Sequence, residues 1–208
     1  QVTIASFADA ESLPKERDFE QRTGDELYLL YTGGTTGRPK GAMLTHDGVV
    51  RMAYSSAYTR AFQDARTICY AMPMYHVFGY VEGMIAAMYT GGSILPMTTF
   101  DPVAMLSAVS RHQIDELICV PAMTTRLLEE ARAGQYDLDH LTTMFSSGAA
   151  HHPDIWQEIY DVLTVDEIFT AYGQTETTSP QVAGRPAGAG HDRPRTPRRL
   201  GRRRDQRP

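Results

Sequence analysis

From residue 25 onward, short apolar runs alternate along the chain with longer stretches of helical period. The run ELYLLYT (26–32) reads as a buried strand, and TICYA (67–71), SILP (93–96), ELICV (116–120), TMFSS (143–147) and EIFTAYG (167–173) read as further short strands. Helical segments lie between them. Thr45 is suited to cap a helix over about 46–62, and a Pro-marked loop opens an apolar helix within 72–92 that stops at Gly91 and Gly92. Further helices are expected near 101–112, 121–133 and 153–163. Strand and helix alternating in this way build a parallel sheet with helices on both faces, so the expected fold class is α/β. Residues 1–24 are polar, without a clear period, and read as a connector.

Ligands of such sheets gather at the carboxyl ends of strands. Four sequence motifs sit there: the glycine loop after 26–32, MYHVFG after 67–71, SSGAA after 143, and YGQTET after 167. Four such ends can face one crevice.

The glycine loop, YTGGTTGRPKG, carries Gly33, Gly34, Gly37 and Gly41 with Thr32, Thr35 and Thr36 between them. Uncovered backbone N–H groups and inward hydroxyls make an anion cradle. It is not the mononucleotide P-loop, which needs Gly-Lys-Ser/Thr; here Lys40 lies between Pro39 and Gly41. In AYGQTET (171–177), Tyr172 offers a flat face for a purine, Thr175 a hydroxyl for a phosphate oxygen, and Glu176 a hard carboxylate for magnesium already held by phosphates. Small residues in SSGAAHHPD (146–154) let backbone approach a flat ring. His151 and His152 have no third ligand at metal-site spacing and read as a solvated helix start before Pro153.

These motifs resemble those of the adenylate-forming superfamily, which includes acyl-CoA synthetases, peptide-synthetase adenylation domains and firefly luciferases. The glycine loop matches almost letter for letter, with Gly33 where serine is usual. The resemblance implies that Thr32, Gly33, Gly34, Thr35, Thr36, Gly37 and Lys40 grip the β- and γ-phosphates of ATP. It implies that Tyr172, with Gly173 and Gln174 beside it, stacks on adenine, and that Ser147, Gly148, Ala149 and Ala150 close over the other side. Thr175 would touch the α-phosphate, and Glu176, helped by Thr32, would bind Mg2+. His76, in PMYHVFG, would lie beside the reacting carboxylate and the thiol, most often that of coenzyme A.

The implied activity is ligation of a small carboxylic acid to CoA through an acyl-adenylate, with His76, Thr175 and Glu176 at the chemistry. Gly79 and Gly83, four apart, are expected to leave a groove beside their helix for a fatty or aromatic acid. An amino-acid substrate would need an acid for its ammonium group, and Glu82 is the sole candidate in that apolar stretch. The resemblance covers about residues 25–178, the middle of the family's large domain. It lacks the ribose-binding aspartate, the hinge and the small domain with its lysine. The chain is therefore expected to be an incomplete adenylation domain, not competent alone.

Composition changes this picture at one end. The 42% hydrophobic and 22% charged residues are ordinary for a globular protein, and Cys69 and Cys119 fall in apolar runs as reduced core thiols. There is no apolar run of about 18 residues and no signal-like start, so cytoplasm is the expected compartment. The formal charge of −5, however, divides into −12 over residues 1–180 and +7 over 181–208. That last segment is built from nine Arg, four Pro, four Gly and three Ala, with no Lys and no aromatic residue. Residues 179–208 are thus expected to be a disordered tail without a core, the product of a GC-rich gene read in a shifted frame from about 177–183. The competing reading is a nucleic-acid-binding or nucleotide-binding module that uses the tail on phosphates. It is the weaker one, because the tail offers no side chain for base stacking.

Overall fold

The computed structural model of the chain describes residues 25–33, 37–60 and 66–184. Expectations that fall on 1–24, 34–36, 61–65 (the end of the helix expected over 46–62) or 185–208 lie outside the described residues. Five parallel strands form the main sheet: β3 (Thr67–Tyr70), β4 (Ser93–Pro96), β5 (Glu116–Cys119), β6 (Thr143–Ser146) and β7 (Glu167–Gln174), in the order β4-β3-β5-β6-β7. The helices are α1 (His46–Thr59), α2, α3 (Pro102–His112), α4 (Pro121–Ala133) and α5 (Ile155–Leu163). α2 opens as a π-helix (Phe78–Ile85) and closes as a short α-helical turn (Ala86–Tyr89).

Local chemistry sets these boundaries. Thr45 Oγ1 accepts the Gly48 N–H at 3.1 Å, and Asp101 Oδ1 accepts that of Ala104 at 2.9 Å, so both helices start on a side-chain cap. Pro102 and Pro121 stand first in their helices, where a missing N–H costs nothing. β5 and β6 are buried along their whole length, so apolar side chains point to both faces of the sheet at Leu117–Cys119 and Met144–Phe145.

Alternate residues of the central strands feed two cores. Leu117, Met144 and Ile168 face Leu106, Leu127 and Ile159 of α3, α4 and α5. Ile118, Phe145 and Phe169 face Phe78 and Ala87 of α2 on the opposite side. Helices therefore cover both faces, and truncating Leu117 or Ile118 to alanine would cost about 2–5 kcal/mol.

Two expectations change. Residues 26–32 do form a strand, β1 (Glu26–Thr32), but it pairs antiparallel with an unforeseen β2 (Lys40–Thr45) and stands apart from the parallel sheet. In a two-stranded hairpin only one face is covered: Leu44 packs with Val49, Ala53 and Val81, whereas Leu29, Tyr31 and Met43 are exposed. Residues 179–184, expected at the head of a coreless tail, form β8 (Ser179–Gly184), antiparallel to β7. The Arg/Pro/Gly bias that motivated the tail begins only where this strand ends.

Candidate active site

The loop between β1 and β2 is a hairpin loop, closed where Thr32 pairs with Lys40. A mononucleotide P-loop runs from strand to helix; this one turns a strand back on itself. Gly37 has a φ of +79°, a conformation that a side chain would strain. Thr32 Oγ1 donates to Glu176 Oε1 at 2.9 Å, joining the hairpin to the 3-10 turn Thr175–Thr177 after β7.

A cleft of about 500 Å³ opens at this junction, lined by Thr32, Gly33, Lys40, His76, Val77, Phe78, Ser147, Gly148, Gly173, Gln174, Thr175, Glu176 and Ser179. All four motif loops thus meet at one crevice. A second cavity of about 650 Å³ adjoins it, sharing Gly148 and Gly173, and holds Ala149, Ala150, Tyr172, His151 and Trp156. Tyr172 is 70% exposed, so its ring face is free for a flat ligand. One cavity carries the polar and acidic groups, and the other the flat and small ones.

His76 leads into the π-helical turn. Its Nδ1 accepts the Phe78 N–H at 3.1 Å, so the neutral ring carries its proton on Nε2. Burial holds its pKa below the usual imidazole value, which keeps the ring neutral near pH 7. Ser147 lines the cleft, but its hydroxyl donates to Ala171 O and its N–H to Cys119 O, so it fixes the loop and leaves ligand contact to the backbone beyond it. Gly148 follows at φ +99°.

The residues present suit magnesium. Thr32 Oγ1 and Glu176 Oε1 are hard oxygen donors at the mouth of the cleft, and no cluster of three His, Cys, Asp or Glu exists among the described residues. One carboxylate plus substrate phosphates is how Mg2+ is commonly held.

The sequence profile of the AMP-binding enzyme family matches residues 3–203. The chain belongs to the AMP-binding enzyme family. This AMP-binding chain is 32% identical over 165 residues to the acyl-CoA ligase sidI of Aspergillus fumigatus, an alignment covering 79% of the chain and 28% of the ligase. Its fold is similar to ATP-bound MatB from Rhodopseudomonas palustris, with a TM-score of 0.71 and 28% identity over 80% of this chain and 32% of that one. It is also similar to O-succinylbenzoate CoA synthetase (MenE) from Bacillus subtilis in complex with ATP and magnesium, with a TM-score of 0.72 and 25% identity over 83% and 35% of the two chains. The chain spans less than a third of the length of the curated relatives it matches. No helix among the described residues is long and apolar enough to cross a membrane.

Within this AMP-binding domain three readings are corrected. The face of Gly79 and Gly83 is no groove: a Cβ at Gly79 would lie 2.6 Å from Pro73 O, and one at Gly83 2.7 Å from the Tyr70 ring. The two glycines are spaces filled by the chain itself. Glu82 is fully buried and occupied, with Ser179 Oγ donating at 2.7 Å, Ser56 donating to its other oxygen, and Arg60 Nη2 3.6 Å away. It cannot receive a substrate ammonium group. His151 is not a solvated helix start: its Nε2 lies 2.8 Å from Ser146 Oγ and its ring packs edge-on against Trp156, while His152 alone is exposed, beside Asp154.

Arg60 and Ser179 escaped the sequence reading. Arg60 carries the buried charge that answers Glu82 and Glu116, yet in sequence it looks like the polar end of an amphipathic helix. Ser179 was hidden by the tail's composition. The detectable signal was Glu82, an acid in an apolar stretch that required a partner.

Proposed function

We propose that this chain is the nucleotide-binding part of an ATP-dependent acid–CoA ligase. The observation that carries the reading is the Thr32–Glu176 hydrogen bond, which brings the glycine loop and the acidic turn together at a cleft also lined by His76. The adenine would lie between Tyr172 and the Gly148–Ala150 backbone, and the triphosphate would run through the shared glycines toward Lys40 and Thr175. Magnesium bound at Glu176 and Thr32 would neutralise phosphate charge.

In the first half-reaction a carboxylate oxygen of the acid attacks the α-phosphorus in line with the leaving pyrophosphate, forming an acyl-adenylate. Thr175 donates its hydroxyl to the α-phosphate, and Lys40 meets the charge of the departing phosphates. In the second, the CoA thiol gives its proton to solvent, the sulfur attacks the acyl carbonyl carbon, and the bond from that carbon to the phosphate oxygen breaks to release AMP. Neutral His76 can donate from Nε2 to the acid without competing as a cation for the phosphates.

The acid is a fatty or aromatic one. Val77 and Phe78 give the cleft an apolar wall beside His76, and the amino-acid reading loses its one acidic residue because Glu82 is engaged inside the fold. The nucleic-acid reading rests on residues beyond 184, which the structure does not describe. The deciding experiment is ATP–pyrophosphate exchange by the full-length protein across a panel of carboxylic acids. Exchange driven by fatty or aromatic acids is expected; a clear preference for amino acids overturns the substrate class, and exchange with no acid overturns the reaction.

A further inference from the structure

The turn that carries Thr175 and Glu176 is unusual backbone. Gln174 and Ser179 face each other across β7 and β8, so five peptide bonds must return the chain within one strand spacing. The turn closes with Thr178 at φ +72° and Ser179 at φ +147°, two consecutive residues with side chains in the region that favours glycine. Such a conformation persists when its surroundings over-determine it.

Two contacts do so. Thr178 is buried against the start of α1, where Thr178 Oγ1 would stand 3.3 Å from a Cβ at Gly48, a tight approach. Ser179 is 2% exposed and donates to Glu82 Oε1 at 2.7 Å, across 97 residues of chain. Glu82 is in turn held from the other side. Ser56 donates to its second oxygen, Arg60 Nη2 donates to its backbone carbonyl at 2.5 Å, and Arg60 also pairs with Glu116 in β5. The carboxylate belongs to a buried frame built from α1, α2 and the central sheet, and Ser179 is the point where the turn is fastened to it.

We propose that Glu82 is a positioning residue for the metal-binding carboxylate: by accepting the Ser179 hydroxyl it fixes the turn 174–179 that aims Glu176 into the cleft. Glu176 is exposed and has Thr32 on its open side, so the turn backbone alone sets its direction from behind. Loosening Ser179 from Glu82 frees the φ values of residues 178 and 179 to relax, and Glu176 swings away from Thr32. Glu82 does not itself line the cleft and acts through Ser179, which does. The inference rests on the magnesium–ATP reading of the site.

The test uses the full-length protein and measures ATP binding by equilibrium dialysis, with Mg2+ and with EDTA. Ser179→Ala removes the donor, and Glu82→Gln leaves one acceptor oxygen for two serine hydroxyls. Each variant is expected to raise the Kd for Mg-ATP about tenfold while changing metal-free ATP binding less than twofold. The double variant is expected to be no worse than the weaker single one, because both break the same link. If Ser179→Ala weakens Mg-ATP binding but folded Glu82→Gln does not, Ser179 acts on the ligand directly and the proposal falls. It falls equally if the losses multiply, or if they are the same with and without metal. Should Glu82→Gln fail to fold, the metal-dependent split in Ser179→Ala still decides, since a uniform loss contradicts positioning of a metal ligand. A wild-type protein that binds no Mg-ATP overturns the ligase reading instead, an outcome distinct from any of these.

Discussion

Thr32 Oγ1 donates a 2.9 Å hydrogen bond to Glu176 Oε1, across 144 residues of chain and between two separate sheets. A threonine at the end of a hairpin strand thereby sets where an acid in a 3-10 turn can bring a cation. Thr32→Val keeps the shape and removes the donor. It is expected to weaken Mg-ATP binding roughly fivefold, the equivalent of one ordinary hydrogen bond, while metal-free ATP binding stays near wild type; titration with and without Mg2+ reads both.

Substitution of the phosphate and metal groups should act on turnover. Thr175→Ala and Glu176→Ala in the full-length protein are each expected to lower acid-dependent pyrophosphate exchange about 10²–10³-fold, the usual loss when one preorganised charge-stabilising group is removed. Both side chains reach an open cleft, so the melting temperature should change little. Normal exchange by both variants would show that the chemistry lies elsewhere.

Stability is concentrated in the buried ion network. Arg60, Glu82 and Glu116 are fully buried, and Glu116 Oε2 has no hydrogen bond, only the Arg66 guanidinium 3.5 Å away. Arg60→Met leaves two carboxylates without their shared cation and is expected to cost about 3–5 kcal/mol in urea denaturation. Burial already pushes the Glu82 carboxyl up, opposed by Arg60, Ser56 and Ser179. Removing the arginine should therefore make the loss largest at neutral pH and smaller in mild acid, where the carboxyl can take a proton.

His76 gives a second pH signature of the opposite kind. Its folded pKa lies below the ordinary imidazole value because the ring is partly buried, so the folded state prefers it neutral. Its contribution to stability is present above pH of about 6.5 and is lost as the pH falls through the depressed folded value. Nitrogen NMR of the histidine rings is expected to show His76 Nδ1 unprotonated at pH 7, accepting from Phe78; a protonated Nδ1 would contradict the hydrogen bond.

The Arg-rich segment can be tested without protein. With β8 running to Gly184, the shifted-frame proposal applies to residues 185–208. Translating the coding DNA past that point in the other two frames is expected to yield, in one of them, alternating strand-like sequence and the family's ribose-binding aspartate. If neither frame does so, the segment is native to the protein.

Most of the framework could be read in advance because the central parallel strands are short buried runs bounded by polar turns, and the helices 46–59 and 102–112 carry their caps in the adjoining residues. β2 was missed although Ala42 and Leu44 are buried and Met43 exposed, an alternation too short to stand out beside a glycine loop. The groove beside Gly79 and Gly83 failed for a different reason. Helical spacing can say that two positions share a face, but only packing says whether the chain fills it, and here Pro73 and Tyr70 do. The motif loops were legible because chemistry is written in their side chains; Arg60 and Ser179 were not, because their roles depend on buried contacts with Glu82 and, for Arg60, Glu116.

Among the described residues, the two cavities share only Gly148 and Gly173 in their lining. At Gly148 a Cβ would meet Val120 at 3.3 Å with a φ that side chains avoid, so that side of the passage is bare main chain by construction. A ligand threading it meets peptide groups, whose chemistry no point substitution can alter. The rooms on either side are free of that constraint, since one is furnished by Ala149, Ala150, His151, Trp156 and Tyr172 and the other by Thr32, Lys40, His76, Phe78, Thr175 and Glu176. Side chains in either room can therefore change without disturbing the other, whereas a side chain at Gly148 would strain the doorway between them.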